Sequence, residues 1–175
     1  MKKFNSETVL LISLAMREMN AKKPSAAIEL LKQAAEISPF EPDIYDLLGW
    51  CFIVSGQNEA GEEFFTAKMA EKIWPCFLIA RAGCRMRLKK YPEALADVEK
   101  FLELKPRSGV IVALYYRLKI SLDSGDQNAA VENAREIISL SLDSEPCKQV
   151  QRRAKEILAI LERRNERTEQ SAFLN

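Results

Sequence analysis

Side chains able to do chemistry are sparse in this chain of 175 residues. It has no histidine, which removes the commonest general base near neutral pH and the commonest metal ligand. The four cysteines, Cys51, Cys76, Cys84 and Cys147, contain no C-x-x-C pair. With no histidine to complete a site, their spacing does not describe a zinc centre. A nucleophilic Cys51 or Cys84 would likewise lack a histidine partner. All but Cys147 lie in apolar stretches, where free cysteine behaves as a small hydrophobe. They read as reduced core thiols in a reducing compartment. Carboxylate pairs do occur, Glu62 with Glu63 and Asp43 with Asp46, at spacings common on helix surfaces. Glycine-rich phosphate loops and H-E-x-x-H patterns are absent. The residues therefore point to a protein that is not an enzyme and that holds no cofactor and no metal.

Charge narrows the partners further. Lys and Arg total 26 against 25 Asp and Glu, a net charge of +1, which gives no general pull toward nucleic acid or an anionic membrane. Residues 145–167 hold seven basic side chains against four acidic, yet they lack the interleaved aromatics of a phosphate-tracking surface. Val150, Ala154, Ile157, Leu158 and Leu161 make one apolar helix face there, so the arginines read as its solvated opposite face. Lys2 and Lys3 before Val9-Leu10-Leu11-Ile12 faintly imitate a signal peptide. Glu7 precedes that run, Arg17 and Glu18 close it, and it is far too short to cross a bilayer. A cytoplasmic helix that does not insert into membranes is the expectation.

Positioning falls to helices. Apolar residues recur at three- and four-residue spacing throughout, and no convincing stretch alternates with period two. The segments pair as about 6–20 with 24–37, 42–54 with 58–73, 76–88 with 91–104, and 109–122 with 127–141, before a ninth at 145–167. Pro24 suits a first helical turn, Gly56 can take the left-handed conformation that ends a helix, and Lys90-Tyr91-Pro92-Glu93 breaks the third pair. Asp123-Ser124-Gly125-Asp126 breaks the fourth pair, and Trp74-Pro75 and Lys105-Pro106 fall between pairs. Turns this short force neighbouring helices to pack antiparallel.

A repeat emerges when the second helices are aligned. Small residues recur at Ala27, Gly61, Ala94 and Ala130, in steps of 34, 33 and 36. Tyr45, Leu48, Gly49, Phe52 and Gly56 mark the second repeat, Tyr91, Ala94 and Pro106 the third, and Ala27, Leu31, Ala34 and Pro39 the first. The chain thus resembles the tetratricopeptide repeat, a helix–turn–helix unit of about 34 residues. Gly61 departs from that pattern where alanine is usual, as do Arg81 and Arg85 where apolar residues are common. The resemblance implies an all-α solenoid of about four hairpins, at about 8–41, 42–74, 75–108 and 109–142. Residues 145–167 would form the terminal capping helix, and 168–175 a flexible tail.

In that family, first helices line a concave, ligand-binding face. Carried onto this chain, the ligand-facing positions are Val9, Ile12, Met16 and Met19, then Asp43, Asp46, Trp50 and Ile53. Cys76, Ile79, Gly83 and Met86 follow, and finally Val112, Tyr115, Lys119 and Leu122. The set is mostly apolar and rich in methionine, which suits varied apolar partners, and Trp50 and Tyr115 are common interface anchors. It fits an apolar extended segment or one face of an amphipathic helix. Co-chaperones of the family that grip acidic tails use a clamp of Lys, Asn and Arg. Here the clamp positions hold Ile12, Met16, Leu47, Cys76 and Ala80, so a buried carboxylate would find no partner.

Leu48-Gly49-Trp50-Cys51 and the hairpin layout also resemble the translocator chaperones of bacterial type III secretion. That resemblance implies a cytoplasmic chaperone that keeps membrane-active segments soluble in its groove. It leaves a homodimer through Met16 and Met19 open. A permanent subunit of a bacterial secretion or envelope assembly is the alternative.

Overall fold

Helix starts are set by local chemistry. Prolines occupy the first turns of α2 (Pro24–Ile37), α3 (Pro42–Ser55), α5 (Pro75–Arg87) and α6 (Tyr91–Glu103), where no N–H is needed. The Asn5 side chain accepts from the Glu7 N–H at 3.1 Å to open α1 (Ser6–Asn20). Asp126 does the same for Ala129 at 3.0 Å, opening α8 (Gln127–Ser139). The remaining helices are α4 (Asn58–Glu71), α7 (Val110–Ser124) and α9 (Glu145–Phe173). This computed structural model describes residues 5–106, 108–141 and 143–173, with side chains up to Arg164 in α9. Among them there is no strand. The chain divides between Leu104 and Lys105 into two units.

One turn geometry ends every first helix. Lys22, Gly56, Lys89 and Gly125 all have positive φ, at 59°, 75°, 60° and 81°. Each lies five residues before its repeat's small residue, at Ala27, Gly61, Ala94 or Ala130. Glycine adopts this conformation freely, and lysine does so at a cost. In three of the turns the next N–H reaches back five residues, as from Lys23 to the Glu18 carbonyl at 2.9 Å. Ala27, Ala94 and Ala130 are fully buried.

In the first unit, α1 packs on α2, α2 on α3, α3 on α5, α4 on α5, and α5 on α6. The core is Ile28, Leu31, Ile44, Tyr45, Leu48, Phe52, Phe65 and Phe77, all at most 4% exposed. Each such side chain contributes roughly 1.5–3 kcal/mol by leaving water. Tyr45 meets Phe77 edge-on at 4.7 Å and donates its hydroxyl to the Pro39 carbonyl at 3.0 Å.

Gly61 replaces alanine because the space is already filled. A Cβ there would lie 2.6 Å from Cys84 Sγ and 2.9 Å from Phe52 Cβ. Gly61→Ala is expected to lower stability by roughly 1–3 kcal/mol through overpacking. Combined with Cys84→Ala, the two losses are expected not to add, because deleting Sγ makes room. Urea titrations of both variants check this, and simple additivity would remove Cys84 as the cause.

In the second unit, α7, α8 and α9 pack together around Leu114, Leu118, Ala134, Ile137, Ala154 and Leu161. Gln151 closes the end of α8 by donating to the carbonyls of Ile138 and Leu140 at 2.7 and 3.0 Å. Val150, Ile157 and Leu158 are half-buried and Ile160 is exposed. This last helix is longer than the sequence predicts. It runs on through residues 168–173, where a flexible tail is expected. No glycine or proline interrupts residues 161–173, so nothing local stops a helix that has already formed. Leu174 and Asn175 lie outside the described residues, as do Lys2, Lys3 and Leu142. Among the described residues, no helix is long and apolar enough to cross a membrane.

Candidate protein-binding groove

Two helical stripes face each other across a groove in the first unit. From α1 come Val9, Ile12, Ser13 and Met16, and from α3 come Asp43, Asp46 and Leu47. Together they line an open cavity of about 460 Å³. A second cavity of about 220 Å³ adjoins it, sharing Met16 and Leu47 and adding Ala15, Met19, Asn20, Leu31, Trp50 and Cys51. Each stripe follows the spacing i, i+3, i+4, i+7, which brings side chains to one helix face. Seven of the sequence-derived positions meet here: Val9, Ile12, Met16, Met19, Asp43, Asp46 and Trp50. Val9, Met16 and Trp50 keep 46%, 54% and 53% of their surface exposed, which is unusual for large apolar side chains grouped together.

Leu47, which the sequence marks only as a clamp position without its polar residue, lines both cavities. It completes the α3 stripe between Asp43 and Trp50, and the i, i+3, i+4, i+7 rule alone would have found it.

The other candidates lie elsewhere. Ile53 is half-buried against the core. Cys76 is 9% exposed and belongs to that core. It is drawn in by the close packing of α5 on α3, where a Cβ on Gly49 would stand 2.6 Å from Ala80 Cβ. Cys76 lines neither of the two cavities. Ile79 and Met86 are half-buried, Gly83 is buried, and none of the three lines either cavity. Val112, Tyr115, Lys119 and Leu122 belong to α7 of the second unit. Lys119 pairs with Asp123 at 3.5 Å. Leu122 lines a small cavity of about 100 Å³ with Gln127 and Leu161.

The groove is electrostatically uneven. Partial burial in apolar surroundings pushes the Asp46 carboxyl up to about 6, and the neighbouring Asp43 charge adds to the shift. Asp46 keeps contact with solvent at the mouth, but the walls remove part of its hydration. Burial raises the thiols of Cys51, Cys76 and Cys84 to about 11, 12 and 12. At neutral pH they are neutral thiols, poor nucleophiles and poor metal ligands. Cys51 donates to the Met19 sulfur at 3.3 Å beneath the smaller cavity. Among the described residues, no cluster of three or more His, Cys, Asp or Glu is placed to hold a metal.

Solved structures resemble this fold. MamA from Desulfovibrio magneticus RS-1, from residue 41 onward, superposes with a TM-score of 0.59 at 14% identity, covering 92% of this chain and 96% of that one. A tetratricopeptide repeat protein from Parabacteroides merdae gives 0.61 at 19% identity, over 95% of this chain and 64% of that one. The fold is that of the tetratricopeptide repeat. A double mutant of MamA from strain RS-1 agrees, at 0.59 and 15% identity over 97% and 99% of the two chains. No family model and no curated protein sequence matches the chain. In tetratricopeptide terms, the groove lies between the first helices of the first two repeats.

Proposed function

We propose that this chain is a non-catalytic protein-binding module, a cytoplasmic chaperone or adaptor that holds an apolar segment of a partner protein between α1 and α3. The observation that carries this reading is the pair of adjoining cavities, walled by side chains that leave Val9, Met16 and Trp50 about half exposed. Flexible methionines and one indole over a concave apolar floor suit a polypeptide better than a small polar ligand.

The finer form of the proposal is a chaperone for a type III secretion translocator. It rests on the resemblance of Leu48-Gly49-Trp50-Cys51 and on the hairpin layout. In that tetrapeptide Leu48, Gly49 and Cys51 are buried, while Trp50 lines the groove. A second reading, a permanent subunit of a larger assembly, is favoured by apolar residues exposed outside the groove. Leu10, Phe40, Ile73 and Ile160 are 58%, 67%, 54% and 64% exposed, and permanent interfaces are larger and more apolar than transient ones.

Affinity capture from a lysate of the source organism, followed by size-exclusion mass measurement, separates the readings. One secreted protein with apolar or membrane-active segments, in a small complex, is the expected result. A stoichiometric set of structural proteins would make the chain a built-in subunit. A closed dimer that captures nothing would mean that a second copy fills the groove.

A further inference from the structure

The groove changes character along α3. Asp43 and Asp46 stand one turn apart near the start of the helix, and Trp50 lies one turn beyond Asp46. The facing α1 stripe of Val9, Ile12, Ser13 and Met16 carries no charge. The other titratable group facing Asp46 is Cys76 of α5, a neutral thiol at physiological pH. Neither Asp43 nor Asp46 has a hydrogen-bond or ion-pair partner among the described residues. The larger cavity is therefore an apolar pocket edged by two carboxylates with no cationic partner among the described residues, and the smaller one is apolar beside an indole.

Resting on the protein-binding reading above, we infer that the occupant is a polypeptide segment presenting a Lys or Arg side chain to Asp43 and Asp46 and a large apolar side chain to the Trp50 cavity. Residues 46 and 50 are about 6 Å apart along the helix axis, and 43 and 50 about 10 Å, which sets the separation of the two groups. Charge complementarity decides this chemistry. A wholly apolar segment would cover both carboxylates and strip their remaining water with nothing in return. An acidic one would be repelled. A cationic side chain instead converts the same burial into a charge-assisted hydrogen bond.

Selection from a random peptide display library against the full chain tests this. Affinities of the recovered peptides for wild type, Trp50→Ala and Asp43→Asn/Asp46→Asn are then read by fluorescence anisotropy, with circular dichroism melts to show that the variants fold. The recovered peptides are expected to carry a basic residue near a large apolar one and to weaken with Trp50→Ala. The double asparagine variant is expected to bind them about tenfold less tightly at neutral pH, a charge-assisted pair being lost. Wild-type affinity should rise between pH 5 and 7 as Asp46 ionises, and this rise should vanish in the double variant. Peptides that need Trp50 but show no basic residue, with affinities unchanged in the asparagine variant, would overturn the inference and leave the groove reading standing. Peptides indifferent to Trp50→Ala, or none recovered, would overturn the groove reading and this inference with it.

Discussion

Replacing Asp97 with alanine is expected to lower the unfolding free energy of the first unit by roughly 3–5 kcal/mol, the cost of removing one partner from a buried ion pair. Asp97 projects from α6 into a site where its side chain is 5% exposed. Arg81 of α5 grips both its oxygens, from Nε at 2.9 Å and Nη2 at 2.6 Å. Arg85 adds a third bond at 2.9 Å. Arg81 also reaches Thr66 at 3.1 Å, and Arg85 reaches Glu62 at 2.9 Å, both on α4. Lys90 completes the chain of charges on Glu62 at 2.7 Å. Three helices are thus tied together by groups that cannot leave water singly without penalty. With Asp97 gone, two guanidinium groups at 13% and 16% exposure lose their shared anion. Asp97→Asn keeps the shape and loses the charge, so its loss is expected to be smaller.

Both tryptophans, Trp50 and Trp74, lie in this unit, so urea titration followed by indole emission reports on it alone. A loss below about 1 kcal/mol would show that the network behaves as surface ion pairs do. Acid is expected to weaken the same network. Burial works to raise the Glu62 carboxyl, but hydrogen bonds and charge from Lys90 and Arg85 outweigh it and hold the group below its usual value. A depressed carboxyl contributes stability above its unfolded-state value and loses it as pH falls through the folded one.

Trp50→Ala is expected to weaken binding of the captured partner by about 30- to 1000-fold, the ~2–4 kcal/mol of an aromatic hot spot. The fold is expected to persist, because half of the ring already faces solvent and its removal empties no enclosed core. Trp50→Phe retains apolar area but not the full indole, so it is expected to fall between. Calorimetric titration of the partner into the three proteins reads these affinities, and an unchanged value for Trp50→Ala would remove the indole from the interface.

The sequence announced the helices more fully than the groove. Helix ends were legible because prolines and Gly56 or Gly125 mark them chemically. The equivalent left-handed turns at Lys22 and Lys89 were not, since a lysine there carries no such mark and is held by the backbone bonds around it. Arg81 and Arg85 stood out as departures from the repeat pattern. Their meaning lay in Asp97 and Glu62, which helix packing brings near from 16 and 23 residues away. In the groove, the α1 and α3 positions came from the family resemblance, which marks Leu47 as a clamp position and not as a lining one. Cys76 shows the limit of transferring positions from one repeat to the next. The small pair Gly49 and Ala80 draws α5 so close to α3 that the equivalent position becomes core. Spacing along one helix is written in sequence, but the distance between two helices is set by the smallest pair of residues between them.

Emission of Trp50 as its partner binds reports most directly on occupancy of the groove. In a Trp74→Phe chain Trp50 is the sole indole, and phenylalanine keeps the ring contact that Trp74 makes with Phe77 at 5.7 Å. Saturating partner is expected to shift this emission to shorter wavelength and shield it from acrylamide quenching. A complex that forms by size exclusion while Trp50 emission and quenching stay unchanged would place the partner elsewhere and contradict the groove between α1 and α3.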